Sequence, residues 1–295
     1  MAVPSSLLLA VPNISEGRDH GVIEAIGAGF AHARLLDLHA DADHHRSVFT
    51  LAAPPAELPG ELLGGAREAV KRIDLREHEG LHPRVGAMDV MPVIYLDDAD
   101  RGAACAAVLT AANLIGEDLE VPVVLYGELA TRPEHHKRAD LRAGGHDGLA
   151  KRLESGEVVP DFGPHRAHPS AGVILAAARP PLVAFNLDLD TDDVELARRV
   201  ALSLRESNGG LTGVRALGLY LPDRGRAQES TNVEDHRRTP LREVVEAVRE
   251  QAPVAEAELV GLAPEAAFEG FPTDLPLRGF SPERHLIEQV LRGLH

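Results

Sequence analysis

Residues 81–90, LHPRVGAMDV, hold His82 between a charged loop and Pro83, with Arg84 next and the apolar run MPVIYL (91–96) directly after. A histidine that only fills a core sits inside a strand, whereas this one stands at a strand's mouth. Pro83 and Gly86 restrict the backbone there and Arg84 supplies charge. An imidazole with an unperturbed pKa near ~6.5 accepts and donates protons at neutral pH, so His82 is the first candidate for general acid/base chemistry. The plainer alternative is a surface loop histidine, and with 15 histidines in the chain that reading covers most of them.

Three further stretches could carry chemistry. HADADHHRSVFT (39–50) offers His39, Asp41, Asp43, His44 and His45, and alternate spacing can place several metal ligands on one strand face. No second cluster supplies the remaining ligands and Arg46 repels a cation, so no metal is expected. VPNISEG (11–17) ends a strand and precedes a helix, where backbone N–H groups with Asn13, Ser15 and Glu16 can meet a polar or anionic ligand; Ser15 capping the turn locally is the alternative. GPHRAHPSAG (163–172) runs Gly163, Pro164, His165, Arg166, Ala167, His168, Pro169, Ser170, Ala171, Gly172. Its glycines suit close backbone approach to a flat ligand, with His165, Arg166 and His168 as polar contacts, or the stretch is a solvated linker. DFGP (161–164) matches a kinase triplet, but no Gly-rich phosphate loop or His-Arg-Asp loop accompanies it.

The bulk numbers bound the class. At 295 residues with 44% hydrophobic content the chain can bury a real core, built from Leu, Val, Ile and Ala because aromatics are 3% and tryptophan is absent. A net charge of −16 argues against binding nucleic acid or an anionic membrane surface, though local arginines can still reverse the field for a small anionic substrate. Cys105 is the single cysteine, so no internal disulfide forms, and it reads as a small buried helical residue. The N-terminal apolar run is too short and lacks a basic flank for a signal or membrane segment, so a cytoplasmic location is expected.

These residues need elements to hold them. Apolar spacing predicts strand 7–11, helix 19–33, strands 35–39 and 46–52, helix 60–73, strand 91–96, helix 101–116 and strand 121–128. A long polar, Gly- and Pro-rich stretch follows with one short helix near 146–154, then a hinge at Arg179-Pro180-Pro181. The pattern restarts with strand 182–187, helix 192–206, strands 214–220 and 226–233, helix 240–251 capped by Thr239, strand 256–260 and a last helix 282–294. The expectation is an α/β (α+β) fold of two similar βαββαβ-type subdomains, 1–178 and 179–295, each a sheet covered by helices, with a ligand cleft between them.

Taken in order, VPNISEG, HHRSVFT, HPRVGAMDVMPVIYL, VPVVLYGE, PDFGP, HPSAG and LVAFNLDL resemble the formiminotransferase family from about residue 7 to about 262. The resemblance implies transfer of a formimino group between N-formimino-L-glutamate and N5 of tetrahydrofolate in histidine degradation, on two similar α/β subdomains flanking a ligand tunnel, in a homodimer. It implies His82 as catalytic acid/base and 163–172 as the folate-binding loop. Beside these, Arg46 and Arg84 are candidates to meet the glutamate carboxylates, and Asn13 is a candidate polar contact. No cyclodeaminase domain, as follows in the bifunctional animal enzyme, is expected here. The chain departs from the family pattern at His39, at His45 and at Glu229, where AQESTN puts an acid at an apolar position. Formyl transfer on the same fold and a metal-dependent hydrolase using HADADHH are the competing readings.

Overall fold

The structure, a computed structural model, describes residues 7–79 and 83–293. It divides into two compact units, one ending at Pro180 and the other beginning at Pro181.

The first unit contains β1 (Leu8–Ala10), β2 (Asn13–Ile14), α1 (His20–Gly29), β3 (Arg34–Asp41), β4 (Arg46–Ala53), α2 (Leu58–Arg72), β5 (Met88–Ile94), α3 (Arg101–Asp118), β6 (Val123–Leu125), α4 (Arg138–Leu141), α5 (Gly145–Glu154) and β7 (Ile174–Arg179). β1 lies within the expected strand 7–11 and a second short strand follows Pro12, which has no N–H to give the ladder; β1 and β2 separately fill the gap between β4 and β5, antiparallel to both. β3 flanks β4, and β7 enters between β5 and β6, parallel to each.

β7 occupies the residues just before the hinge, where the spacing predicts no element. Its sequence, ILAAAR, is buried over its first five residues, so it shows no alternation to mark it as a strand. Apolar side chains of α1, α2 and α3 cover one face of the sheet, including Ile26, Leu62 and Val108. Leu141, Leu149 and Leu153 of α4 and α5 pack with Val90, Val124 and Leu175 in a separate cluster. Cys105 of α3 is only partly buried and packs against the first of these cores.

The second unit contains β8 (Val183–Leu189), α6 (Val194–Leu204), β9 (Val214–Leu221), β10 (Arg226–Val233), α7 (Leu241–Arg249), β11 (Val254–Val260), α8 (Pro282–His285) and α9 (Ile287–Arg292). Its four strands lie in the order β11-β8-β10-β9, all antiparallel. The first unit repeats this scheme, with β5, β1/β2, β4 and β3 in the corresponding places. Both halves therefore have the βαββαβ trace expected from the spacing.

Leu241, Val244, Val245 and Val248 form one face of α7 and bury it against Phe185 and Leu187 of β8. Each such side chain taken from water is worth about 1.5–3 kcal/mol. Asp193 caps α6 by accepting from the Leu196 N–H at 2.9 Å. Thr239 does not cap α7 as expected; its hydroxyl donates to the Thr212 carbonyl at 2.7 Å, and Pro240 holds the cap position. The expected last helix breaks at Leu286, which is extended because Ala263 bonds the flanking residues: its N–H donates to the His285 carbonyl and its carbonyl accepts from Ile287 N–H, each at 3.0 Å.

Candidate functional site

His82 lies outside the described residues, but the segment that leaves it is held on three sides. Val85 N–H donates to Asp89 Oδ1 at 2.7 Å. Asp89 can reach back because β5 carries a bulge: Asn13 of β2 pairs with Val90 and Ile14 with Met88, leaving Asp89 as the extra residue. The other carboxylate oxygen of Asp89, which is 2% exposed, accepts from the Arg142 guanidinium. Arg84 donates to the His78 carbonyl, which ties the segment to residues on the other side of His82.

The loop 163–172 meets this segment at its second half. Ala87 N–H donates to the Ala171 carbonyl at 2.8 Å, Val173 N–H to the Val85 carbonyl at 3.0 Å and Leu75 N–H to the Ser170 carbonyl at 2.8 Å. His168 and Gly172 exchange backbone bonds of 3.0 and 2.9 Å, closing a tight hairpin. HPSAG (168–172) is therefore stitched to residues 75 and 85–87. His168 Nδ1 accepts from Ala171 N–H at 3.0 Å, and burial lowers its pKa, so the neutral ring carries its proton on Nε2.

The glycines of this loop pack closely against the protein's own backbone. Gly172 has φ +69°, and a Cβ there would lie 2.2 Å from the Val85 carbonyl oxygen. Gly163 has φ +78°, and a Cβ there would lie 2.8 Å from the Val121 carbonyl oxygen. His165, Arg166 and Pro169 are exposed, Pro164, Ala167 and Ser170 partly so, and Ala171 is buried. Asp161, of the kinase-like triplet, accepts from Leu125 N–H at 2.7 Å and from the Thr131 hydroxyl, a structural task at the end of β6.

VPNISEG and HHRSVFT converge on the same mouth. His45 takes a left-handed backbone, φ 49°, unusual for a side chain with a Cβ. Its Nδ1 accepts from Gly17 N–H at 3.1 Å and lies 3.3 Å from Glu16 Oε1. The ring stacks on His78, centroids 4.1 Å apart at 22°. Burial lowers the pKa of both, and for His78 the Arg84 guanidinium and His45 help bring it to about 4. Ser15 is buried and donates to the Gly86 carbonyl at 2.8 Å instead of capping α1, which Asp19 does. Asn13 donates to the Val11 carbonyl at 2.9 Å. The acidic-histidine stretch splits, because His44 turns back onto Asp41, 3.0 Å away, while His45 faces Glu16.

Arg46 opens β4 opposite Asp41 of β3. Burial and the nearby Arg138 bring its pKa to about 10, with Asp41 acting the other way. Arg142 falls to about 9 through burial and the charge of Arg46. Arg138 and Arg142 are the residues that the motifs did not flag. Their signal was the i, i+4 spacing in RADLR, too short a run to read as a helix.

Residues 7–179 match the formiminotransferase domain, N-terminal subdomain, and residues 184–270 match the formiminotransferase domain. The chain belongs to the formiminotransferase family. That membership agrees with the resemblance carried by the motifs. This formiminotransferase chain is 34% identical to a glutamate formimidoyltransferase of Streptococcus pyogenes serotype M1, covering 98% of the chain and 100% of that relative. It is 35% identical to a glutamate formimidoyltransferase of Thermoplasma acidophilum, covering 89% of each. A formimidoyltransferase-cyclodeaminase of Rattus norvegicus is 38% identical over 88% of the chain, which spans 50% of that longer protein. No helix among the described residues of this family member is long and apolar enough to cross a membrane.

Proposed function

We propose that the chain transfers a formimino group between N-formimino-L-glutamate and tetrahydrofolate, a step of histidine degradation, in the cytoplasm. The observation that carries this is the similarity to the streptococcal glutamate formimidoyltransferase over the whole of both proteins. In this reading His82 is the acid/base, the loop 163–172 holds the folate, and Asn13, Arg46 and Arg84 contact the substrates. The backbone bonds from 168–172 to residues 85–87 support a folate loop beside the histidine segment.

The chemistry needs one group that handles protons in both directions. The N5 amine of tetrahydrofolate adds to the formimino carbon and must lose its proton. The adduct then expels the glutamate nitrogen, which must gain one. A positioned imidazole can take the first proton and deliver the second, for about 10²–10⁴-fold in rate. His78 is a poor alternative, since at about 4 its ring stays neutral and too weakly basic to take the amine's proton.

The test is formimino transfer from N-formimino-L-glutamate to tetrahydrofolate, measured for the wild type and for His82→Ala, with folate binding measured for both. Loss of ~10²–10⁴-fold in kcat with binding retained is expected. A folded wild type that transfers nothing to tetrahydrofolate overturns the reading, and a fully active variant takes the proton role away from His82.

A further inference from the structure

The two sheets have outer edges at β3, β6, β9 and β11, and three of these edges are managed. Along β6, Val123 N–H donates to the Phe162 carbonyl and the Val123 carbonyl accepts from Asp161 N–H, each at 2.9 Å. Along β11, Ala257 N–H donates to the Pro276 carbonyl at 2.8 Å and its carbonyl accepts from Arg278 N–H at 2.9 Å, so residues 276–278 lie where another strand would dock. The register of β3 breaks between Leu35 and Asp37, and Arg34, Asp37 and Asp41 put charge along it. Covering segments, bulges and charge are the usual means of keeping an edge from pairing with another chain.

β9 is the exception. Among the described residues the only strand it pairs with is β10, in an unbroken register, and its sequence VRALGLYL holds one charge and no proline. Val214 N–H donates to the Leu211 carbonyl, and the Ala216 carbonyl accepts from Arg205 Nε at 2.8 Å, so the even-numbered residues turn their main chain away from β10. Gly218 and Tyr220 then point N–H and C=O outward, and Ala216 adds its N–H and the second lone pair of its carbonyl. Leu217 and Tyr220, 36% and 39% exposed, stand beside this row on opposite faces of the sheet.

A row of alternating donors and acceptors is matched by a strand, and a second copy of β9 matches it by symmetry. With Gly218 on a two-fold axis, antiparallel pairing sets Ala216 against Tyr220 and Leu217 against Leu219 of the second copy, so the outward main-chain groups meet one another. Arg215, which pairs with Glu234 of its own hairpin at 2.8 Å, then also has Asp223 of the second copy as a diagonal neighbour, within reach of its long side chain. A net charge of −16 makes copies of this chain repel in general, whereas at this edge each arginine approaches an acid and no like charges are opposed.

We infer that the β9 edge is a self-association surface, where two copies of the chain join their four-stranded sheets into one continuous sheet across a two-fold axis. The inference stands apart from the reaction and from the residues beside His82.

Sedimentation equilibrium of the full chain at micromolar concentrations tests it, with folding of each variant checked by circular dichroism. The wild type should sediment with twice the 31.6 kDa of one chain. Leu217→Lys places two ammonium groups diagonally across the axis and should raise the dissociation constant of the pair at least ~30-fold, the size of an interface hot spot. Asp223→Arg sets arginine against arginine and should weaken the pair as well. Leu35→Lys makes the same exchange at a 52% exposed leucine on β3 and should leave the dissociation constant unchanged. Tyr220→Lys, on the other face of the edge, carries the test if Leu217→Lys does not fold. A wild type that stays a single chain at the highest concentration overturns the surface. A dimer that survives folded Leu217→Lys or Tyr220→Lys, or one that Leu35→Lys dissociates instead, places the contact elsewhere and overturns it too.

Discussion

The hairpins β3–β4 and β9–β10 are the same construction made twice: two strands of eight residues each, joined by residues 42–45 in one unit and 222–225 in the other. Arg46 matches Arg226 at the start of the second strand, and Phe49 matches Glu229. Phe49 is fully buried, its ring centroid 5.4 Å from that of Phe30. Glu229, also fully buried, has no hydrogen bond to either carboxyl oxygen. Two positions on, Leu51 corresponds to Thr231, whose hydroxyl is satisfied by the Phe185 carbonyl. The trace tolerates both versions because the period-2 pattern and the helices on one face set it, not the identity of any one core residue. The units differ in where they depart from ideal. In the first unit the departures lie at the turn and the bulge beside the candidate site, and in the second an acid sits in the core with no hydrogen-bond partner.

The bulge gives the largest expected effect. β11 also bulges, between Val254 and Glu256, but the residue there is Ala255. Asp89→Ala makes the first unit's bulge like the second's and strands Arg142. A loss of about 3–5 kcal/mol in urea unfolding is expected, the usual cost of leaving a buried charge without its partner. Asp89→Ala/Arg142→Met should recover much of it. A loss under about 1 kcal/mol for the single variant would show that the pair does not hold the segment after His82.

Next in size is Glu229→Leu, which makes β10 more like β4. Burial raises the Glu229 pKa to about 8, only partly opposed by Arg205. A carboxyl whose folded pKa lies above its unfolded value near ~4.3 folds only protonated, so its stability contribution is complete below ~4.3 and is lost as pH rises to about 8. The advantage of the leucine variant should therefore grow by roughly 3–4 kcal/mol between pH 5 and pH 8, read from denaturant midpoints. A pH-independent gap would mean that Glu229 finds a partner or water in solution.

The repeated trace was legible because each half alternates amphipathic helices with strands bounded by turn residues, and the helices fall within a few residues of their expected ends. β7 was not, for its three alanines have weak strand propensity and burial leaves no alternation. At the site, the motifs located the 168–172 hairpin and the segment after His82, since Gly, Pro and His cluster there. Arg138 and Arg142 escaped because a single turn of helix has no periodicity, and the role of Asp89 depends on a bulge that only pairing reveals. Glu229 was visible as an acid at an apolar place, a conflict the structure keeps.

The smallest expected effect probes the turns themselves. His45 and Gly225 close the two hairpins at the same position, both left-handed, with φ 49° and 61°. Glycine takes that conformation freely, and nothing lies within 4 Å of where a Cβ on Gly225 would be, so Gly225→His should cost only its backbone penalty, about 1–2 kcal/mol. The reverse change, His45→Gly, relieves a similar penalty but removes the ring stacked on His78 and the acceptor for Gly17 N–H. Net stability should change by less than about 1 kcal/mol. The informative readout is His78 itself. Its lowered pKa, about 4, makes it a group whose stability contribution is present above ~6.5 and lost as pH falls through about 4. Uncovering its ring by His45→Gly should move its titration, followed by NMR, up toward the ordinary histidine value. If the midpoint stays near 4 in the glycine variant, the Arg84 charge and the remaining burial hold His78 neutral without the stack. The left-handed histidine must then be explained by what its ring offers to a substrate.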